Sequence, residues 1–252
     1  MNLQFFEDGP ALIVENKKRL LVVADLHFGI ESDLAQHGWH FASRSRERLN
    51  RVIACIQATS PDLLVLLGDV KHSIPRTTRQ EYREIPDILS SLREEVPIRV
   101  LPGNHDIGIT RFLQKDELMP KDGAVIDGVA YMHGHTVPNP DLSGHLIVCG
   151  HHHPMVSLHD EVGCSLRAPA YLLAELEQDE KKSEAKNDFA CKKTRVLFMP
   201  AFNECAGFDI LRIIRHPFSP LSRSIRKDGA EVFLADGTYV GLVSALEENV
   251  PT

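Results

Sequence analysis

The sequence predicts an α/β fold, and three observations carry that expectation. Apolar, β-branched runs at 20–24, 63–67 and 98–101 alternate with stretches of helical apolar spacing at 41–58 and about 80–93. Each run ends on loop-forming residues: Asp25, then Gly68 and Asp69, then Pro102 and Gly103. After residue 120 the pattern changes to short β-like runs in which helical periodicity is scarce. A strand and helix rhythm of this kind implies parallel strands joined by crossover helices, with the functional loops at the carboxyl ends of the strands.

In chain order, 20–24 reads as a strand ending at Asp25, and 41–58 as a helix whose apolar residues lie among Arg and Glu. Pro61 and Asp62 open the buried strand 63–67, a second helix follows at about 80–93, and Pro97 opens 98–101. Asp25, Asp69 and Asn104 thus fall at three successive strand ends, separated by about one βαβ unit of roughly 30 residues or more, which brings them side by side. The later β-like runs are 124–126, 129–132, 146–149, 155–158, 195–199, 231–234 and 239–243. The Glu/Lys-rich segment 175–194 reads as an exposed excursion, and 208–246 as a β-rich tail that either covers the core or mediates self-association. No internal repeat or linker divides the chain, so one domain over 1–252 is expected.

At 252 residues such a domain buries a proper core without staples. Hydrophobic residues make up 43% and charged residues 25%, and no apolar run approaches the roughly 20 residues that span a bilayer. Residues 1–10 contain Glu7 and Asp8 and lack the basic start and apolar middle of a secretory signal, so a cytoplasmic location and no membrane partner are expected. The five scattered cysteines, Cys55, Cys149, Cys164, Cys191 and Cys205, form no C-x-x-C pair and read as buried small apolar residues. A net charge of -7 excludes a protein that coats nucleic acid by bulk electrostatics. It leaves room for a nucleic-acid substrate, because two divalent cations add about +4 at a site.

The chemistry lies in five clusters: Asp25-Leu26-His27, Gly68-Asp69, Gly103-Asn104-His105-Asp106, His133-Gly134-His135 and Gly150-His151-His152-His153. Carboxylate oxygen, amide oxygen and imidazole nitrogen are the donors that divalent cations select, and a catalytic pair needs a ligand shared between its two ions. Seven of the 13 histidines fall between His133 and His159, a density that core packing does not require. Each cluster alone is commonplace, and Asp25 by itself could cap a helix. Five in order, each after a strand-like run, point to a metal centre.

In this series the chain resembles the calcineurin-like metallophosphoesterase superfamily, whose motifs are D-x-H, G-D, G-N-H-D or G-N-H-E, a later H, and G-H-x-H. The resemblance runs from about residue 20 to 154. ADLHFGIE, LGDVKHS, PGNHD, HGH, GHHHP and the late MPAFN run are similar to the DNA-ligase-associated subgroup and its archaeal relatives. The resemblance implies a four-layer α/β/β/α sandwich of two mixed sheets flanked by helices. It assigns one ion to Asp25, His27 and His153 and the other to Asn104, His133 and His151, with Asp69 bridging. His133 and His135 both flank Gly134; His133 is favoured because the family's ligand directly follows a strand. Strand alternation turns His152 away from its neighbours.

The resemblance also makes His105 the general acid, with Asp106 orienting its ring. An imidazole suits proton transfer near neutral pH. His72 and Asn104 are expected to contact the substrate, and two basic groups, Arg44, Arg46, Arg48 and Arg51 at the start of the first helix and Lys71, His72, Arg76 and Arg79 after Asp69, are candidates for binding phosphate, the alternative for the helix arginines being a solvated face paired with Glu47. The chemistry expected is in-line attack by a hydroxide bridging two divalent ions, with manganese favoured over iron, zinc, nickel or cobalt. No nucleophile elbow or P-loop competes with it. The expected activity is that of a phosphodiesterase of nuclease type acting on a nucleic acid or nucleotide. The alternatives are a phosphomonoesterase, a cyclic-nucleotide phosphodiesterase or a binding scaffold, the last disfavoured because every motif position is intact.

Overall fold

The computed structural model describes residues 1–6, 8–159, 164–177 and 193–248. Its first sheet has the order β1 (Asn2–Phe5), β2 (Leu12–Glu15), β3 (Arg19–Val23), β4 (Leu63–Leu66), β5 (Ile98–Val100). The last three strands are parallel, as the alternation predicts, and β1 and β2 add an antiparallel hairpin. That hairpin escaped sequence reading because its strands are only four residues long and β1 is half exposed.

Three helices join these strands: α1 (Ile30–Gln36), α2 (Ser45–Thr59) and α3 (Arg79–Glu95). The helix expected from residue 41 starts at Ser45, leaving Phe41 exposed. Helix α3 opens with a capping box in which Thr78 accepts from the Glu81 amide while the Glu81 carboxylate accepts from the Thr78 amide, so two orphan donors are satisfied. It buries Ile85, Ile88, Leu89 and Leu92, at the spacing that lines one helical face.

The second sheet contains β6 (Ala124–Ile126), β7 (Val129–Met132), β8 (Leu146–Cys149), β9 (Pro154–His159), β10 (Ser165–Glu175), β11 (Arg195–Phe198) and β12 (Phe208–Asp209), in the order β12-β9-β10-β11-β8-β7-β6. Strand β10 also pairs with β13 (Glu231–Leu234), which pairs with β14 (Tyr239–Leu242). The eleven-residue β10 was not foreseen, since Pro169 interrupts the pattern that would announce a strand. Strands β7, β8 and β11 are parallel, and the rest of the sheet is largely antiparallel.

The two sheets pack face to face through Leu12, Leu20, Val22, Val65 and Leu101 on one side and Val129, Tyr131, Val148, Tyr171 and Leu197 on the other. The outer face of the first sheet is covered by α2 and α3. That of the second is covered by α4 (Ile210–Arg215), Leu221, Ile225 and the start of α5 (Val243–Glu248). The result is two mixed sheets between helical layers. The tail expected to be β-rich thus contributes two helices as well as strands, because Ile210, Ile213 and Ile214 recur at helical spacing over the sheet. Of the excursion at 175–194, residues 178–192 lie outside the described residues. No helix among the described residues is long and apolar enough to cross a membrane. Cys55 and Cys149 are buried as expected, whereas Cys164 and Cys205 are exposed; Cys191 lies outside the described residues.

Candidate metal centre

The carboxyl ends of the parallel strands of both sheets meet at one edge of the sandwich. From the first sheet come Asp25 and His27 beyond β3, Asp69 beyond β4, and Asn104 beyond β5; from the second come His133 directly after β7 and His151 and His153 beyond β8. The loops are stitched together by backbone hydrogen bonds: the Asp25 amide donates to the Gly68 carbonyl at 3.2 Å and the His27 amide to the Asp69 carbonyl at 2.8 Å.

Five of these residues occupy the left-handed region: Asp25 (φ 56°), His27 (46°), Asp69 (47°), His151 (69°) and His153 (44°). For a residue with a Cβ this conformation is sparsely populated and costs on the order of 1–3 kcal/mol. Asp and His tolerate it better than most. Strain concentrated on the candidate ligands shows that the surrounding fold over-determines their positions.

Gly103 serves a second purpose, because a Cβ there would lie 2.1 Å from Asp69 Oδ1 and 2.5 Å from the Asp69 amide. Its role is close approach, since no left-handed φ is involved. Gly103→Ala is therefore expected to push Asp69 out of place and to destabilise the protein by about 1–3 kcal/mol through overpacking. Denaturant unfolding together with elemental analysis checks both effects.

Two sets of donor atoms lie within 4.8 Å of one another: Asp25, His27, Asp69 and His153 in one, Asp69, His133 and His151 in the other. They share Asp69. His153 Nε2 is 3.1 Å from Asp25 Oδ1 and 3.5 Å from His27 Nε2, and His27 Nε2 is 3.8 Å from Asp69 Oδ2. On the other side His133 Nε2 is 3.5 Å from Asp69 Oδ2 and 3.2 Å from Asn104 Oδ1. The fully buried His133 has Nδ1 2.8 Å from the Leu67 carbonyl; a proton held there leaves the Nε2 lone pair facing the cluster.

Electrostatics suit a cation. Burial holds the His27 imidazole well below its ordinary pKa and pushes that of His151 down to about 2, so both rings are neutral and have lone pairs to give. Asp25 stays ionised: burial opposes charge, but His153, His133 and His27 together outweigh it. Asp69 is raised, first by burial and then by the charge of Asp25. Two buried carboxylates competing for charge among clustered imidazoles form a mixed N/O donor set that a pair of divalent ions fits.

Three expectations need correction or sharpening. Asp106, expected against the His105 ring, instead accepts from the Gly103 amide at 2.8 Å and the Lys71 amide at 3.2 Å. The buried carboxylate ties the β4 and β5 loops together, and the His105 ring places Nδ1 on the His72 carbonyl. His152 does turn away, into the core. It is fully buried, with Nδ1 3.0 Å from the Gly150 carbonyl and Nε2 2.7 Å from Ser219 Oγ. Of the helix arginines, Arg44 pairs with Glu47 at 2.7 Å, as the reading of a solvated face expects, Arg48 is buried against Glu31 and Glu204, and Arg44 and Arg51 also reach Glu204. His135 lies outside both donor sets, its ring 5.2 Å from that of His133. Its buried Nδ1 has no hydrogen-bond partner among the described residues.

His72 lies beside the cluster. Its Nδ1 is 3.2 Å from His27 Nδ1, and its ring stacks on His105 with centroids 5.2 Å apart. A cavity of about 600 Å3 opens there, lined by Asp33, His72, Arg76, Thr78 and His105. Two supporting residues went unread in the sequence. Glu81 Oε1 accepts from the His72 and Ser73 amides at 3.0 and 2.6 Å; the T-x-x-E capping box at Thr78 was the available signal. Asn203 Nδ2 donates to the Leu26 carbonyl at 3.0 Å, bracing the Asp25 loop; the MPAFN run that ends on it was the signal, without a role attached.

A family model described as Calcineurin-like phosphoesterase matches residues 18–189. Among solved structures, the nuclease MPE of Pseudomonas putida is similar in fold, with 18% identity, 96% of this chain and 100% of that chain covered, and a TM-score of 0.54. YfcE, a phosphoesterase from E. coli, gives 15% identity over 88% of this chain and 96% of that chain, with a TM-score of 0.37.

Proposed function

The chain belongs to the calcineurin-like phosphoesterase family, and from that premise we propose that it hydrolyses phosphodiesters, with nucleic acid as the substrate class, at a centre of two divalent cations. The observation that carries this reading is the pair of donor sets meeting at Asp69. One ion would be held by Asp25, His27, His153 and Asp69, and the other by Asp69, Asn104, His133 and His151. Divalent ions bound there would supply Lewis acidity and water activation near neutral pH; a mixed N/O donor set accepts manganese, iron, zinc, cobalt or nickel, and manganese is the ion chosen for the test.

The remaining chemistry belongs to the protein. His105 is the proton donor to the leaving oxygen: its Nδ1 is engaged by the His72 carbonyl, and its Nε2 is 4.0 Å from Asp69 Oδ2, at the edge of the cluster. Asp106 acts by holding the loop that carries Asn104 and His105. His72 and Asn104 contact the phosphoryl group, and Arg76, in the adjoining cavity, is available for a flanking phosphate. Preference for a diester is supported by the similarity of the Leu20 to Pro154 motifs to the DNA-ligase-associated subgroup and by the nuclease activity named for the fold neighbour.

The test compares a bis-nitrophenyl phosphodiester, the nitrophenyl monoester and single-stranded DNA with manganese and with chelator. The diester and DNA are expected to be cleaved only with metal, with kcat/KM for the diester about tenfold or more above that for the monoester, a difference of about 1.4 kcal/mol in barrier. A monoester preference would replace this reading with that of a phosphomonoesterase.

A further inference from the structure

The candidate ligands His151 and His153 are flanked by two partly open phenylalanine rings. Phe208 is 37% exposed and Phe218 41% exposed, and their centroids lie 5.8 Å apart. Phe208 stacks on His153 at 6.0 Å with an interplanar angle of 28°, and Phe218 lies 5.5 Å from the His151 ring. Large apolar rings left open beside a polar centre forgo burial that the core would provide.

Both rings are fixed to the histidine run. The Phe208 amide donates to the His153 carbonyl at 2.8 Å, and Phe208 pairs with Pro154 across β12 and β9. Phe218 precedes Ser219, whose hydroxyl is 2.7 Å from His152 Nε2, and its ring lies 5.0 Å from that of His152. A platform held by backbone and buried hydrogen bonds keeps its geometry relative to the reacting phosphate.

Positive charge adjoins the platform. Arg212 Cζ sits 5.7 Å from the Phe208 centroid, and Arg212 makes no ion pair among the described residues. It opens onto a cleft that also presents Arg167 and His216, together with Arg215, whose guanidinium is paired with Glu247 at 3.2 Å. Among the described residues the one carboxylate lining that cleft, Asp209, is engaged in capping the Leu211 amide and in accepting from Ser157 Oγ. In a chain of net charge -7, this is a local concentration of arginines beside exposed aromatic faces. Exposed aromatic faces beside a basic groove are how single-stranded nucleic acid is held without sequence preference.

We propose that Phe208 and Phe218 form a nucleobase-stacking subsite, and that the Arg212 cleft carries the adjoining phosphates of a single-stranded nucleic acid whose scissile bond lies over the metal centre. The subsite rests on the phosphodiesterase reading above and gives it a substrate conformation: an unpaired base stacks on one phenylalanine ring and meets the other, tilted by 49°, along its edge, while its phosphate reaches the histidines.

The test measures Kd by fluorescence anisotropy for labelled oligothymidylate and for an abasic oligomer of the same length. Manganese-loaded His105→Ala protein is used to slow cleavage, with and without Phe208→Leu and Phe218→Leu. Leucine keeps apolar cover over the histidines while removing the π face. Without the leucine changes, the base-bearing oligomer is expected to bind about tenfold or more tighter than the abasic one, and the double leucine variant is expected to lose most of that ratio. A parallel weakening of both oligomers, leaving the ratio intact, would mean the rings only shield the histidines and would overturn the subsite. So would an absence of discrimination before the leucine changes. Failure of wild-type protein to hydrolyse the bis-nitrophenyl diester would instead remove the phosphodiesterase reading itself.

Discussion

Asp69→Asn is expected to strip at least one metal ion from a protein that remains folded. Asp69 is 2% exposed, and its Oδ2 lies 3.5 Å from His133 Nε2 and 3.8 Å from His27 Nε2, between the two donor sets. An amide keeps the shape and one acceptor oxygen but removes the negative charge that two cations would share. The other carboxylate oxygen accepts from the His105 amide at 2.8 Å, a bond that an asparagine oxygen can preserve, so the loop should hold.

The metal-free protein adds a signed test. Burial and the charge of Asp25 raise the Asp69 pKa in the folded state. A carboxyl raised in this way penalises folding as pH climbs from its unfolded to its folded pKa, and the penalty persists at neutral pH. Removing the ionisable group removes that penalty. Chelated Asp69→Asn should therefore unfold at or above the denaturant midpoint of chelated wild type at neutral pH, while elemental analysis finds less metal in the variant as isolated. Full metal occupancy in the variant would refute Asp69 as the shared ligand.

His105→Ala is expected to lower kcat by roughly 10²-fold or more, the loss typical of a removed general acid, and to leave metal content unchanged. The leaving group provides the sharper readout. A nitrophenolate departs without help, whereas the alkoxide leaving from DNA needs a proton. The loss should thus be larger for DNA than for the bis-nitrophenyl diester, and equal losses would argue against proton donation. His27, His72 and His105 also bring ring nitrogens within 4.8 Å of one another. That group contains no carboxylate, unlike the two sets around Asp69, and is the poorer site for a divalent ion. Release of metal from His105→Ala would show that His105 is a ligand there, and the acid role would fall.

Much of the architecture was legible because it rests on local patterns that repeat. The runs 124–126, 129–132, 146–149 and 231–234 coincide with β6, β7, β8 and β13. The parallel register of β3, β4 and β5 follows from crossover helices that bury one face each. Besides the short β1–β2 hairpin, the elements that escaped are those whose identity depends on a distant partner. Strand β10 is held by β9, β11 and β13, and its Pro169 reads locally as a break. The helices α4 and α5, six residues each, are too short to signal by periodicity and exist because the second sheet offers apolar surface to cover.

By itself, the sequence determined the chemistry on offer and the strand ends that carry it: carboxylates, an amide and imidazoles placed where parallel strands terminate. Tertiary structure decided which of these groups face one another. It set His133 rather than His135 against Asp69 and Asn104, drew Asp106 away to backbone amides, and buried His152 against Ser219. The physical reason lies in the backbone. Asp25, His27, Asp69, His151 and His153 all adopt left-handed φ, a conformation that their side chains tolerate but do not demand. Side-chain direction there is imposed by the loops packed around them, and local sequence spacing carries no record of it.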